Sequence, residues 1–199
     1  MRSPGRLKYV IVLAVIAVSA LVLLAWSRDW LVFTLAGGTA DRVTVPGSVA
    51  APALSALALA GIALAAALAI AGPVFRVVLG ALQVVLGGCI VLSASLALGD
   101  PVAAGARAVT DSTGVDGAES VAALVASTDG GVWPVVTLAL GVVAALLGVA
   151  VLATFRRWPA SSRRYSAVRF EDAPAGGRDA SVSDWDTLSD GRDPTGGDR

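Results

Sequence analysis

The chain contains no histidine and a single cysteine, Cys89. The first absence removes the commonest metal ligand and the side chain best suited to move protons near neutral pH. The second excludes an intrachain disulfide. Cys89 lies inside an apolar run and reads as a small packing residue, with an intermolecular disulfide or a reactive thiol as the less favoured alternative. Charge is also scarce: Asp, Glu, Lys and Arg make up 15% of the 199 residues, where a soluble domain carries roughly a quarter. With a formal net charge of zero, there is no basic excess to point to nucleic acid. The charges that exist gather at the two ends and in two loops, leaving long stretches with none.

What fills those stretches is apolar. Hydrophobic residues are 56% of the chain and the mean hydropathy is +0.76, which makes lipid the solvent for much of it. Residues 9–26, YVIVLAVIAVSALVLLAW, form an unbroken run long enough to cross a bilayer as a helix. Arg2, Arg6 and Lys8 precede it, so residues 1–8 are expected in the cytoplasm and Trp26 outside. A basic start followed by Ala25-Trp26-Ser27 also resembles a cleavable signal. The length of the run and the bulk of Trp26 favour an uncleaved anchor. Three further crossings are expected at 49–71, 77–98 and 132–155. The third is about 33 Å long at the helical rise. An inside turn at 72–76 bears Arg76, expected to reach the cytoplasmic headgroups.

The expected fold is an all-α integral membrane protein. It is a four-helix transmembrane bundle with a short extracytoplasmic β-hairpin or loop and a disordered cytoplasmic tail. In the first outside segment, 27–48, Leu31, Phe33 and Leu35 alternate with Val32 and Thr34. Val43 and Val45 alternate with Arg42 and Thr44 beyond a glycine break, a hairpin pattern. The alternative is an irregular loop dipping Leu31 and Phe33 into the interface. The second outside segment, 99–131, is acidic, and its stretch ESVAALVAS (119–127) reads as a short surface helix. Its carboxylates follow no calcium-loop pattern. Near the crossings, Arg2, Arg6, Lys8, Arg76, Arg156, Arg157, Arg163 and Arg164 fall inside, against Arg28, Arg42 and Arg107 outside. Both termini are therefore expected in the cytoplasm of a plasma-membrane protein.

Within the crossings, Gly61, Ala65 and Ala69 make a small-residue groove. Gly80, Gly87 and Gly88 share a face with Gln83, and Gly141, Ala145 and Gly148 are close-packing positions. Such faces serve helix packing and offer a means of homo-oligomerisation. Gln83, the most polar side chain in any crossing, is a candidate for an interhelical hydrogen bond. The tail, 156–199, is too polar to build a core. Within it, Ser183 can cap a turn that sets Trp185 and Leu188 on one face, with Gly191 as the stop. These two are the candidate anchors for a cytoplasmic protein partner, and a transient turn without a partner is the plain alternative.

The tail pattern Trp185-Asp186-x-Leu188-Ser189-x-Gly191-x-Asp193-Pro194-Thr195, behind four spans, an Arg28-x-Trp30 segment and Pro46-Gly47, resembles the actinobacterial tryptophan-associated transmembrane proteins. Asp29 stands where the resemblance leads one to expect proline. Members are often encoded beside tryptophan biosynthesis genes, so the resemblance implies a pathway association and no reaction. It also marks Arg28 and Trp30 as a candidate extracytoplasmic motif.

No nucleophile, base and charge stabiliser converge in the sequence, and neither cofactor nor metal is indicated. The expectation is thus a non-enzymatic accessory or scaffold protein in the bilayer. The alternative is an oligomeric transporter of tryptophan or an indole precursor, with Gln83, Ser55, Ser93, Ser95 and Thr137 as the main polar candidates in its path.

Overall fold

The computed structural model describes residues 4–36 and 42–157. Four of its helices are long and apolar enough to cross a membrane: α1 (Pro4–Trp26), α3 (Ala53–Ile70), α4 (Pro73–Gly99) and α7 (Trp133–Thr154). Around them lie strands β1 (Asp29–Leu35) and β2 (Arg42–Pro46), a single turn α2 (Gly47–Ala50), helices α5 (Pro101–Thr113) and α6 (Ala118–Leu124), strand β3 (Val125–Gly130), and a closing 3-10 turn, Phe155–Arg157.

Helix boundaries follow local chemistry. Gly72 is the extended N-cap of α4 and Pro73 occupies its first turn, where a missing N–H removes no intrahelical bond. The third crossing therefore starts at Pro73 instead of residue 77, and Arg76 sits within the helix, 1% exposed, instead of in a turn. The second crossing is not one continuous helix over 49–71. Ala51 is non-helical between α2 and α3, and Pro52 caps α3. Proline disfavours helical geometry in the residue before it, which fits the break at Ala51.

The bundle packs α1 on α3 and α4 on α7, with α1 also touching α7 and α3 touching α4. The α4–α7 seam is backbone to backbone. An added Cβ on Gly141 would lie 2.8 Å from Val91 N, and one on Gly148 would lie 2.7 Å from Val84 N. Only glycine permits that approach. On the other pair, Gly61 faces the Ser19 hydroxyl, and Ala65 is fully buried. The small-residue positions Gly61, Gly80, Gly87, Gly141 and Gly148 are thus filled by intrachain neighbours. Gly88 does not share the Gln83 face, because a Cβ there meets nothing within 4 Å.

One end of the bundle carries a cap. Its three-stranded antiparallel sheet runs β2-β1-β3, with Phe33 opposite Val43 on one side and Thr128 on the other. The segment read from sequence as a surface helix over 119–127 divides: α6 ends at Leu124 and the chain continues as β3. Helix α5, which lies within the acidic segment 99–131, is started by Asp100, whose Oδ1 accepts from Ala103 N at 3.0 Å. It ends at Gly114, where φ is +72°. Gly105 lets α5 lie directly on the Phe33 ring and Val45.

Cap and bundle share one core. Val22, Leu54, Ile90 and Ala97 from the helices belong to the same buried cluster as Trp30, Phe33, Val45, Val109 and Val121 from the cap. A second cluster, with Ile11, Val15, Leu64, Leu68 and Val151, holds the opposite end.

Candidate functional site

The junction between cap and bundle is built on the first residues of β1. The β1–β2 register shifts between Asp29 and Leu31, and such an irregularity re-aims the residue it contains. That residue, Trp30, is fully buried, and its Nε1 donates to Ala25 O at the end of α1, 2.8 Å away. Gly47 is what gives the indole room: a Cβ there would stand 2.5 Å from Trp30 Nε1 and 2.8 Å from Trp26 O. The backbone completes the seam, with Gly47 N donating to Arg28 O (2.9 Å) and Gly131 N to Trp30 O (2.7 Å).

Arg28 and Trp30 therefore do different work. Arg28 is exposed, and its guanidinium lies 5.8 Å from the centroid of the Trp133 ring at the start of α7, a cation–π distance. Trp30 is an internal wedge. The structure thus brings together Trp30 with Gly47, and Arg28 with Trp133. The second pairing has no signal in sequence, since more than a hundred residues separate its members.

Gln83 is placed in the α4–α7 seam, 2% exposed. Its Nε2 donates to Ala144 O at 3.3 Å. Its Oε1 is buried without a hydrogen-bond partner among the described residues. Of the other polar residues in the crossings, Thr137 donates to Trp133 O one turn back. Ser95 does the same to Val91 O, and Ser55 donates to Pro52 O. These three are satisfied by their own helices. Trp185 and Leu188 lie outside the described residues.

The end opposite the cap is basic. Arg6, Lys8, Arg76 and Arg156 belong to it, and Lys8 Nζ donates to Ala69 O at 2.6 Å, tying α1 to the end of α3. The cap end holds Asp29, Asp100, Asp111, Asp116, Glu119 and Asp129, against Arg28, Arg42 and Arg107. Among the described residues, no three His, Cys, Asp or Glu side chains come together as a metal site would require.

A further feature that sequence reasoning missed is a cleft of about 620 Å³ between α5 and α6, whose lining includes Arg107, Thr110 and Asp116. Its signals were the caps: Asp100-Pro101 to start a helix and Thr113-Gly114 to end it.

Four membrane-length apolar helices joined through one core to a small folded cap define a multi-pass membrane protein. Residues 12–195 match the model of the tryptophan-associated transmembrane protein family, and the chain belongs to that family. No curated protein and no solved structure matches it.

Proposed function

We propose that the protein is a non-enzymatic accessory protein of tryptophan biosynthesis, a plasma-membrane anchor that holds its cap on the outer face and both termini in the cytoplasm. The observation that carries this reading is the shared core. Bundle residues Val22, Leu54, Ile90 and Ala97 pack in one cluster with Trp30 and Phe33, so the helices seat a cap instead of opening a path past it. The closest helix pair, α4 with α7, meets backbone to backbone, and Gln83 is engaged across that seam. Neither feature favours a solute route at that pair.

The orientation rests on charge. Among the described residues, Arg6, Lys8, Arg76 and Arg156 collect at one end with no carboxylate, and six carboxylates with Arg28, Arg42 and Arg107 at the other, and positive residues near helix ends are retained in the cytoplasm. On the sequence reading, Trp185 and Leu188 then face a cytoplasmic protein partner.

The test is uptake and efflux of labelled tryptophan and indole in proteoliposomes containing the full chain. Flux no greater than in empty vesicles supports an anchor. Saturable flux that disappears in Gln83→Leu overturns it and makes the protein a transporter.

A further inference from the structure

The cleft between α5 and α6, about 620 Å³, is within the size range of small-molecule sites. Most of its lining is apolar, including Ala103, Ala106 and Val121, the last buried at 1% exposure. Three charged groups interrupt that lining: Asp100 at the start of α5, Arg107 on α5 and Asp116 on the connection to α6.

Neither Arg107 nor Asp116 is tied up in the fold. Arg107 Nε is 3.9 Å from Asp111 Oδ2, with side chains 83% and 71% exposed. A pair that open to water contributes little and leaves the guanidinium able to take another carboxylate. Asp116 Oδ1 accepts from Gly117 N at 2.8 Å, which orients the carboxylate without neutralising it. Asp100 Oδ1 likewise accepts one backbone bond, from Ala103 N, which caps α5 and leaves its charge in place. The connection's course is set by Gly114 and Gly117, with φ of +72° and +101°, where residues with side chains are strained. One cation, two carboxylates and an apolar wall complement a carboxylate, an ammonium and an apolar side chain carried by one small molecule.

We propose that the α5–α6 cleft binds a free α-amino acid with a large apolar side chain. Arg107 takes its carboxylate, Asp116 takes its ammonium, and Ala103, Ala106 and Val121 receive the side chain. This site goes beyond the anchor role and does not depend on it, since a cap that binds an amino acid is compatible with a bundle that moves solute or one that does not.

The experiment is equilibrium binding of radiolabelled L-tryptophan to the full chain in detergent. Tryptamine, which lacks the carboxylate, and indole-3-propionate, which lacks the ammonium, serve as competitors. L-tryptophan binds saturably, and each analogue competes more weakly. Arg107→Gln lowers affinity for L-tryptophan about tenfold, the loss of one charge-assisted contact, and leaves tryptamine unchanged. Asp116→Asn weakens L-tryptophan and tryptamine and leaves indole-3-propionate unchanged. Both side chains are exposed, so thermal unfolding of the unliganded variants matches that of the parent. Absence of saturable L-tryptophan binding at millimolar concentration overturns the proposal. Equal competition by both analogues, or substitutions that weaken all three compounds alike, also overturns it.

Discussion

Gly87 and Gly88 are neighbours in sequence with opposite surroundings, and alanine at each should have opposite consequences. A Cβ at Gly87 would meet the Ala145 backbone nitrogen and would stand 2.7 Å from Ala145 Cα and 2.8 Å from Gly141 O. These are backbone atoms of α7, so no rotamer change relieves the clash and the two helices must part. Overpacking of this kind costs about 1–3 kcal/mol. Parting also lengthens the 3.3 Å Gln83–Ala144 bond, a contact typically worth about 0.6 kcal/mol inside a bundle. The better helix propensity of alanine returns about 1 kcal/mol, leaving Gly87→Ala less stable by about 0.5–2.5 kcal/mol. At Gly88 an added Cβ meets nothing, so Gly88→Ala keeps only the propensity gain and is neutral or slightly more stable. Reversible unfolding of the purified variants in mixed micelles, followed by tryptophan fluorescence, gives both differences. Equal stability of Gly87→Ala and the parent would refute backbone contact between α4 and α7. So would an equal loss at both positions.

The cap junction gives a second test. Trp30→Ala removes a fully buried indole and its bond to Ala25 O, a change of about 3–5 kcal/mol. Limited proteolysis should then cut the cap at protease concentrations that leave the parent intact. Gly47→Ala should act in the same direction, because its methyl group would occupy the indole's place. Gln83→Leu should change bundle stability by no more than about 1 kcal/mol in the same unfolding assay, since it removes one hydrogen bond and one unpartnered oxygen together. Replacing both Trp185 and Leu188 by alanine should abolish photo-crosslinking of the tail to a cytoplasmic protein while bundle unfolding stays unchanged. Undiminished crosslinking would remove the docking role.

The four membrane helices were legible in the sequence because an apolar run of spanning length has few other uses. Their starts were less so. Arg76 looked like a turn residue, yet Pro73 already satisfies the geometry of a first turn and carries the helix through it. The strands β1 and β2 showed in the alternation from Leu31 to Val45 because Leu31, Phe33 and Val45 are buried. The third strand did not show. From Ala126 to Gly130 every residue of β3 is exposed, so no period of two is written into it, and its conformation comes from pairing with β1. Helix α5 was hidden for a related reason: its inward positions include Gly105, chosen for the closeness of Phe33, and glycine carries no hydrophobic signal. At the candidate sites, Gln83 could be singled out by residue type, and Trp30 only through the family resemblance of the Arg28-x-Trp30 segment. The Arg28–Trp133 stacking and the α5–α6 cleft are products of the tertiary fold, and nothing local announces them.

The central claim is that the cap stands on the outer face of the membrane and the basic helix ends on the inner. Cysteine labelling in intact cells tests it most directly. In a Cys89→Ser background, single substitutions Ser120→Cys and Ser127→Cys place thiols at exposed cap positions, and Arg6→Cys and Arg156→Cys place them at exposed positions of the opposite end. A membrane-impermeant maleimide should label residues 120 and 127 in intact cells, and residues 6 and 156 only after permeabilisation. Labelling of 6 and 156 in intact cells, with 120 and 127 protected, would contradict the account.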